Sequence, residues 1–268
     1  MHFVDTHAHV FNTEGPFIPT ARYTPSYEAT LETFLANLDK HNLHYGVLIQ
    51  PSFYGTDNSF MLKAVEQSKG RLKAVVVVSP DIDTETLQQY HQQGVCGIRL
   101  NLFGLEIPNL LSSEWAKLIN TISKMGWHIE LHCPPSYLLS LLPVLQNYTI
   151  RVVIDHLGRP SADQNLDDDE YQLFLSLLNP AQHWIKLSGL YRIAKTESAS
   201  IAKAQRIIQE LKGRQMINNI VWGSDWPHTQ HEHESSYEQN WALLTAVIND
   251  EHERQLILGE NALKLFNF

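Results

Sequence analysis

The sequence predicts a (β/α)8 TIM barrel, a parallel sheet closed on itself and ringed by helices, with residues 1–268 forming one domain. Three observations carry this reading. Eight short apolar runs are each followed by a helix-length segment. The 268 residues show no composition break that would mark a linker, and barrels of this kind commonly run to about 250 residues as one domain. No glycine-rich phosphate loop follows the first run, and an open doubly wound sheet usually has fewer strands, so that alternative fits less well.

The first strand is Phe3 to Val10. Val4, Thr6, Ala8 and Val10 alternate with Asp5, His7 and His9, which places His7 and His9 on one face, roughly 7 Å apart at ~3.3 Å per residue. A Pro-rich loop from Gly15 to Pro25 is long enough to fold over a site. Helix Tyr27 to His41 carries Leu31, Phe34, Leu35 and Leu38 on one stripe and leads to strand Tyr45 to Gln50, broken by Pro51. The pattern then repeats. Helix Asn58 to Ser68 precedes strand Leu72 to Ser79, and helix Thr84 to Gln93 precedes strand Val95 to Asn101. Helix Ser113 to Lys124 precedes strand Trp127 to His132, and helix Tyr137 to Gln146 precedes strand Arg151 to His156. Helix Asp168 to Leu178, with an acidic first turn, precedes strand Trp184 to Leu190. Helix Ala199 to Leu211 precedes strand Ile220 to Ser224, and helices near Tyr237 to Ile248 and His252 to Phe266 close the chain.

Composition narrows the function. Twenty basic against 29 acidic residues give a net charge of −9, which argues against nucleic-acid binding driven by phosphate neutralisation. Cys96 and Cys133 show no CxxC or zinc-finger spacing and suit free thiols in a reducing cytoplasm. No apolar run approaches the length of a membrane span, and no signal peptide precedes the first strand. The expectation is a cytoplasmic protein acting on a small molecule, with no membrane or nucleic-acid partner. Monomer and homodimer both stay open.

In a barrel of this type the carboxyl ends of the strands surround one pocket. Polar residues cluster at those ends: His7 and His9, then Gln50 to Gly55, then Arg99 and Asn101, then Glu130 and His132. Asp155 to Pro160, Ser188 to Arg192 and Gly223 to His228 follow. Any one of them has a bland explanation as a helix cap or loop anchor. Their recurrence at the same end of seven strands points instead to a catalytic site. Asp225 is the candidate base, since a carboxylate among imidazoles can take a proton from water and pass it to a leaving oxygen. His7, His9 and His156 would polarise a carbonyl or hold a metal that does so. On strand alternation His132 can face the pocket, whereas His228 lies beyond its strand and suits a surface loop equally well. Arg99, Arg159 and Arg192 suit recognition of a substrate carboxylate, with pairing to the barrel's own acids as the competing role. Ser52, Tyr54 and Tyr191 offer hydroxyls to a substrate. The run His231-Glu232-His233-Glu234 looks like a metal motif but lies in a polar segment and reads as a solvated loop.

Four motifs, Val4-Asp5-Thr6-His7-Ala8-His9, Gly97-Ile98-Arg99-Leu100-Asn101, Ile154 to Pro160 and Trp222 to His228, together resemble the amidohydrolase superfamily. Within it the chain is similar to the branch of 2-pyrone-4,6-dicarboxylate lactonases and related sugar-lactone hydrolases, and Ile257 to Ala262 resembles the family's last helix. The resemblance covers essentially the whole chain and implies opening of a small carboxylated lactone by Asp225-activated water. Many family members hold one or two divalent cations, and His7, His9, His132, His156 and Asp225 fill the matching positions. The bridging carboxylated lysine of binuclear members is missing, since Arg99 and Asn101 stand in that stretch. The lactonase branch is known for working without metal, and no metal is the favoured expectation. The alternative is one zinc or manganese on His7, His9, His156 and Asp225, in a metal-dependent amidohydrolase or decarboxylase. The family's pyrone-dicarboxylate enzyme has a further arginine soon after the strand-four one; Asn101 to Leu105 supplies none here, which leaves a monocarboxylate or sugar lactone open.

Overall fold

The computed structural model describes all of residues 1–268. Eight parallel strands form one sheet in chain order: β1 (Val4–Ala8), β2 (Tyr45–Ile49), β3 (Leu72–Val76), β4 (Val95–Asn101), β5 (His128–His132), β6 (Arg151–Ile154), β7 (His183–Leu187) and β8 (Ile220–Trp222). Seven helices stand between successive strands: α1 (Leu31–Lys40), α2 (Ser59–Gln67), α3 (Thr84–Gln92), α4 (Ser113–Lys124), α5 (Pro135–Leu145), α6 (Asp169–Ser176) and α7 (Glu197–Gly213). After β8 come α8 (Tyr237–Val247), α9 (Glu251–Gln255) and α10 (Asn261–Phe266). This is the expected (β/α)8 barrel.

The helices start where side chains satisfy their free N–H groups. Thr30, Asp83, Ser112, Thr196 and Ser236 each accept a hydrogen bond from the backbone N–H three residues on. The Thr30 cap explains why α1 begins at Leu31 and not at Tyr27. The residues before it run extended, with Ala29 bridged antiparallel to Phe11.

The ring closes between the first and last strands. Thr6 Oγ1 donates to the Trp222 carbonyl (2.8 Å), and beyond β8 the backbone pairs on, Asp225 N to His7 O and His9 N to Trp226 O, both 2.8 Å. The strand β1 is bulged, with its register shifting between Asp5 and Ala8. Val4 packs in the barrel-floor cluster, His7 and His9 share one face with ring centres 5.0 Å apart, and Asp5 turns away from them. Its carboxylate accepts from the Ser224 N–H (2.9 Å) and the Tyr237 hydroxyl (2.9 Å), so it ties β8 and α8 to β1 and does not join the histidines.

The barrel interior changes character along its axis. Val47, Val75, Val153 and Val221 form an apolar floor, closed from below by Ala262, Leu265 and Phe266 of α10. Towards the mouth, β4, β5, β7 and the residue after β6 contribute Arg99, Glu130, Lys186 and Asp155, all buried. A larger apolar shell packs between sheet and helices. No helix is long and apolar enough to cross a membrane. Both thiols are free, and burial pushes each up to about 12.

Candidate active site

At the carboxyl ends of the strands lies a cavity of about 440 Å³, lined by His9, His132, His156 and Asp225 together with Arg22, Arg99, Arg159 and Arg192. Asp225 sits in the turn after β8 in a left-handed conformation (φ 59°), held by its N–H to His7 O. Its two oxygens have different surroundings. Oδ2 accepts from the Tyr191 hydroxyl at 2.6 Å and from Arg192 Nε at 3.4 Å. Oδ1 has His7 Nε2 at 3.5 Å and His9 Nε2 at 3.6 Å. Burial alone would raise this carboxyl; the facing His156 and the Arg192 guanidinium outweigh it and hold it well below the carboxylate range. It is charged at neutral pH.

Each imidazole is fixed from behind. His9 Nδ1 lies 2.8 Å from the Ile49 carbonyl, which can only accept, so Nδ1 carries a proton and Nε2 is the atom that faces Asp225. His156 Nδ1 lies 2.8 Å from Ser188 Oγ, and its Nε2 is 4.0 Å from Asp225 Oδ2. Burial pushes His156 down to about 4, so it is neutral at pH 7. A β-carbon at Gly189 would sit 2.7 Å from His156 Nδ1, and with φ +60° only glycine suits that turn. Residues 156–159 all adopt positive φ, three of them bearing side chains, a local strain that aims His156 and Arg159 at the pocket. His132 lines the cavity, with Nδ1 3.1 Å from Asn101 Oδ1, and burial and Arg99 hold it well below its ordinary value.

The arginines divide into two kinds. Arg99 is occupied by the barrel's own acids: its Nε and Nη2 donate to Asp155 Oδ2 (3.1 and 2.8 Å), and its Nε lies 3.4 Å from Glu130. Arg192 lies over the Tyr191 ring and is shared between Asp225 and the Thr229 carbonyl. Arg159 rests on the Phe103 ring with its Nε unpartnered, and burial with the neighbouring Arg192 brings it down to about 10. Arg22, which sequence reasoning missed, arrives on the Pro-rich loop and donates to Phe103 O (2.5 Å) and Asn101 Oδ1 (3.3 Å). It fills the neighbourhood just after β4 where no local arginine is available.

Two expectations are corrected, and one alternative left open by the sequence is decided. Tyr54 faces away from the cavity: its hydroxyl bonds to Asn12, and its ring packs with Phe17 and Phe53 behind the wall. The Tyr191 hydroxyl is taken by Asp225, so it supports the carboxylate and is not free for a substrate. His228 is buried, its ring 5.6 Å from that of Tyr191, because a tight turn tucks it behind Asp225, to which it donates a backbone bond of 2.8 Å. Ser52 lines the pocket as expected. Of the His231–Glu234 run, three residues are exposed, and His231 alone reaches the cavity, hydrogen-bonded to Glu234.

Sequence reasoning also missed Lys186. It lies inside the barrel, fully buried, 2.5 Å from Glu130 Oε2, 3.1 Å from His7 Nδ1 and 3.6 Å from Asp155 Oδ1. Its signal was available: a lysine flanked by Trp184, Ile185 and Leu187 in a strand buried on both faces needs a partner.

His7 Nε2, His9 Nε2 and Asp225 Oδ1 lie within 4.8 Å of one another, as do donor atoms of His7, Asp155 and His156. Imidazole nitrogen and carboxylate oxygen are the donor types that zinc or manganese takes, and the spacing suits one ion; whether each ring nitrogen offers it a lone pair is set by the tautomer that its neighbours impose.

Comparison with known proteins finds relatives that match most or all of the chain. A 2-pyrone-4,6-dicarboxylate hydrolase of Comamonas testosteroni is 30% identical over 239 residues, covering 84% of this chain and 76% of that one. A 4-sulfomuconolactone hydrolase of Hydrogenophaga intermedia is 28% identical over 272 residues, covering 98% of this chain and 88% of that one. The crystal structure of a "probable 2-pyrone-4,6-dicarboxylic acid hydrolase" from Acinetobacter baumannii with citric acid bound superposes with a TM-score of 0.98 at 47% identity, covering both chains completely. The family model described as amidohydrolase matches residues 4–268, and the chain belongs to that family.

Proposed function

We propose that this protein hydrolyses a small lactone bearing acidic groups, using water deprotonated by Asp225 and no resident metal. The observation that carries the reading is the asymmetry of Asp225: Oδ2 is held by Tyr191 and Arg192, while Oδ1 is left to face two imidazoles in a pocket rich in arginine. Water placed at Oδ1 attacks the lactone carbonyl carbon and gives its proton to Asp225, and the carbonyl π electrons move to oxygen. Imidazole N–H groups in the pocket stabilise that oxyanion. As the carbonyl re-forms, the ring C–O bond breaks and the leaving oxygen takes the proton from Asp225. The products are a carboxylic acid, which ionises, and an alcohol or enol, with the base regenerated.

The substrate class follows from the cations. In this reading Arg159 and Arg192 grip one acidic group and Arg22, beside Asn101 and Phe103, a second. The relatives' named substrates are lactones with acidic substituents, and the Acinetobacter relative binds a tricarboxylic acid. Arg22 therefore reopens the dicarboxylate that the stretch after β4 argued against. Replacing Arg22 by Met is expected to raise KM for a dianionic lactone about tenfold, with a smaller change for a neutral one. An equal change for both would remove Arg22 from recognition.

A second reading rests on the His7, His9 and Asp225 cluster. Those residues would hold a zinc or manganese ion, which would supply Lewis-acid polarisation for a metal-dependent amidohydrolase or decarboxylase. A lactone panel assayed before and after chelation, with metal content measured alongside, separates the two. Ring opening with acid release that survives complete stripping is the expected result. Activity that is lost on stripping and restored by zinc, or release of carbon dioxide, would establish the second reading.

A further inference from the structure

We propose that Lys186 is a positioning residue that fixes the proton of His7 on Nε2, making this nitrogen a hydrogen-bond donor in the pocket and not a metal ligand. The proposal deepens the metal-free reading above by assigning the opposite tautomers to the paired histidines of β1.

An ammonium group has three donors and no acceptor. Lys186 Nζ lies 3.1 Å from His7 Nδ1, so in that contact Nδ1 must offer its lone pair. A neutral imidazole accepting at Nδ1 carries its proton on Nε2. The competing arrangement would direct an Nδ1–H to Asp155 Oδ1, which is farther off at 3.4 Å, and would set two N–H groups against each other across 3.1 Å. Lys186 cannot easily turn aside. It is fully buried, anchored on Glu130 Oε2 at 2.5 Å and faces Asp155 Oδ1 at 3.6 Å.

At the far side of the ring His7 Nε2 is buried and has no hydrogen-bond partner within the protein. It points at the space beside Asp225 Oδ1. His9 is the mirror case: its Nδ1–H is spent on Ile49 O, so in the neutral ring its Nε2 presents a lone pair. One strand thus delivers a donor and an acceptor to the same point. Asp225 Oδ1 and His9 Nε2 can take the two hydrogens of one water, which leaves the oxygen lone pair free to attack. His7 Nε2–H remains for the oxyanion. A divalent cation at this point would meet a proton where it needs a lone pair.

The test reads the tautomer directly, in substrate-free protein. With all 14 histidines labelled with 15N and His7 assigned by its loss in His7→Gln, long-range 1H–15N spectra distinguish protonated from bare ring nitrogens. The expected wild-type result is a bare Nδ1 and a protonated Nε2 on His7, with the reverse on His9. A His7 ring protonated on Nδ1, or on both nitrogens, overturns the proposal.

In Lys186→Met the Nδ1 proton becomes free to face Asp155, and the ring should switch to the bare-Nε2 form. Zinc affinity of the substrate-free protein should then rise by about tenfold, since a carboxylate behind a ligating histidine is the arrangement metal sites use. Arg159→Met removes the same charge from the pocket without touching His7 and should raise zinc affinity less. An equal rise in both variants, or a His7 ring unchanged in Lys186→Met, defeats the assignment. Because Lys186→Met leaves two buried carboxylates short of a cation, the double variant Lys186→Met/Glu130→Gln serves if the single one fails to fold. The same tautomer switch is expected in it, and its absence counts against the proposal. An enzyme inactive on every lactone that still showed the Nε2–H form would refute the reaction and leave this assignment standing.

Discussion

Replacing Asp225 by Asn is expected to lower kcat by roughly 10²–10⁴-fold, the range that a positioned acid–base group contributes, without loss of the fold. Asparagine matches aspartate in shape and is among the residues that best tolerate a left-handed backbone, so the φ of 59° at this position costs it little. The backbone bond to His7 O does not involve the side chain, and an amide oxygen can still accept from the Tyr191 hydroxyl. What disappears is the oxygen that takes the proton. The check is kcat on a hydrolysed lactone together with a thermal melt of the same preparation. Near-wild-type turnover would show that another group deprotonates the water, and a collapsed melting curve would mean that the charge facing Arg192 is structural. The size of the loss also orders the remaining groups: a much smaller fall in kcat for His156→Gln would confine that imidazole to substrate or oxyanion contact.

The largest stability effect is expected at Arg99. Substitution by Met should destabilise the protein by about 3–5 kcal/mol, because it leaves buried carboxylates without their cation. The Arg99 guanidinium holds Asp155 well below the carboxylate range against the opposing effect of burial, and Lys186 helps it do so. Glu130 already feels the strain: burial and the Asp155 charge raise it to about 7 despite both cations. Without Arg99 the pair would be served by Lys186 alone. Urea unfolding of Arg99→Met and of Arg99→Met/Asp155→Asn measures this, with the double variant expected to recover part of the loss because no carboxylate is then stranded. An Arg99→Met protein as stable as wild type would mean that the barrel's ion network balances around Lys186. Such a result would also free Arg99 for the substrate role that its sequence position first suggested.

Much of this architecture is legible in the sequence, and the residues that are not share a physical reason. The strands announce themselves because a parallel sheet buried on both faces needs near-continuous apolar runs. The catalytic end of the barrel is legible because chemistry-bearing side chains recur at one end of successive strands, which chance does not arrange. Asp225, His7, His9, His132 and His156 all meet at one cavity or directly beside it. Asp5 departs from the strand's simple alternation because a bulge inserted between it and Ala8 changes which face each residue serves. No local pattern reveals that Arg22 reaches Asn101 and Phe103, because the contact depends on how a loop of about twenty residues folds over the mouth. Tyr191 and Arg192 were recognised as site residues, but their service to Asp225 depends on where two adjacent turns bring them together. For His228 the sequence leaves pocket and surface loop equally open, and only the tight turn that buries its ring decides against the surface.

The seam that completes the ring has a temporal consequence. The candidate base and two of the imidazoles around it are backbone neighbours across that joint, through Asp225 N to His7 O and His9 N to Trp226 O. The residues they unite stand at opposite ends of the chain. During synthesis the ribosome delivers His7 and His9 first and the carboxylate only after nearly all the intervening helices have emerged. A nascent chain is therefore inert until its final strand docks. Contacts of such long sequence separation are also among the slowest to form, since they wait on closure of a loop that spans most of the chain. Hydrolytic turnover thus reports completion of the barrel itself. In a refolding experiment its recovery should trail the return of helical signal, and the lag between them times the last joint.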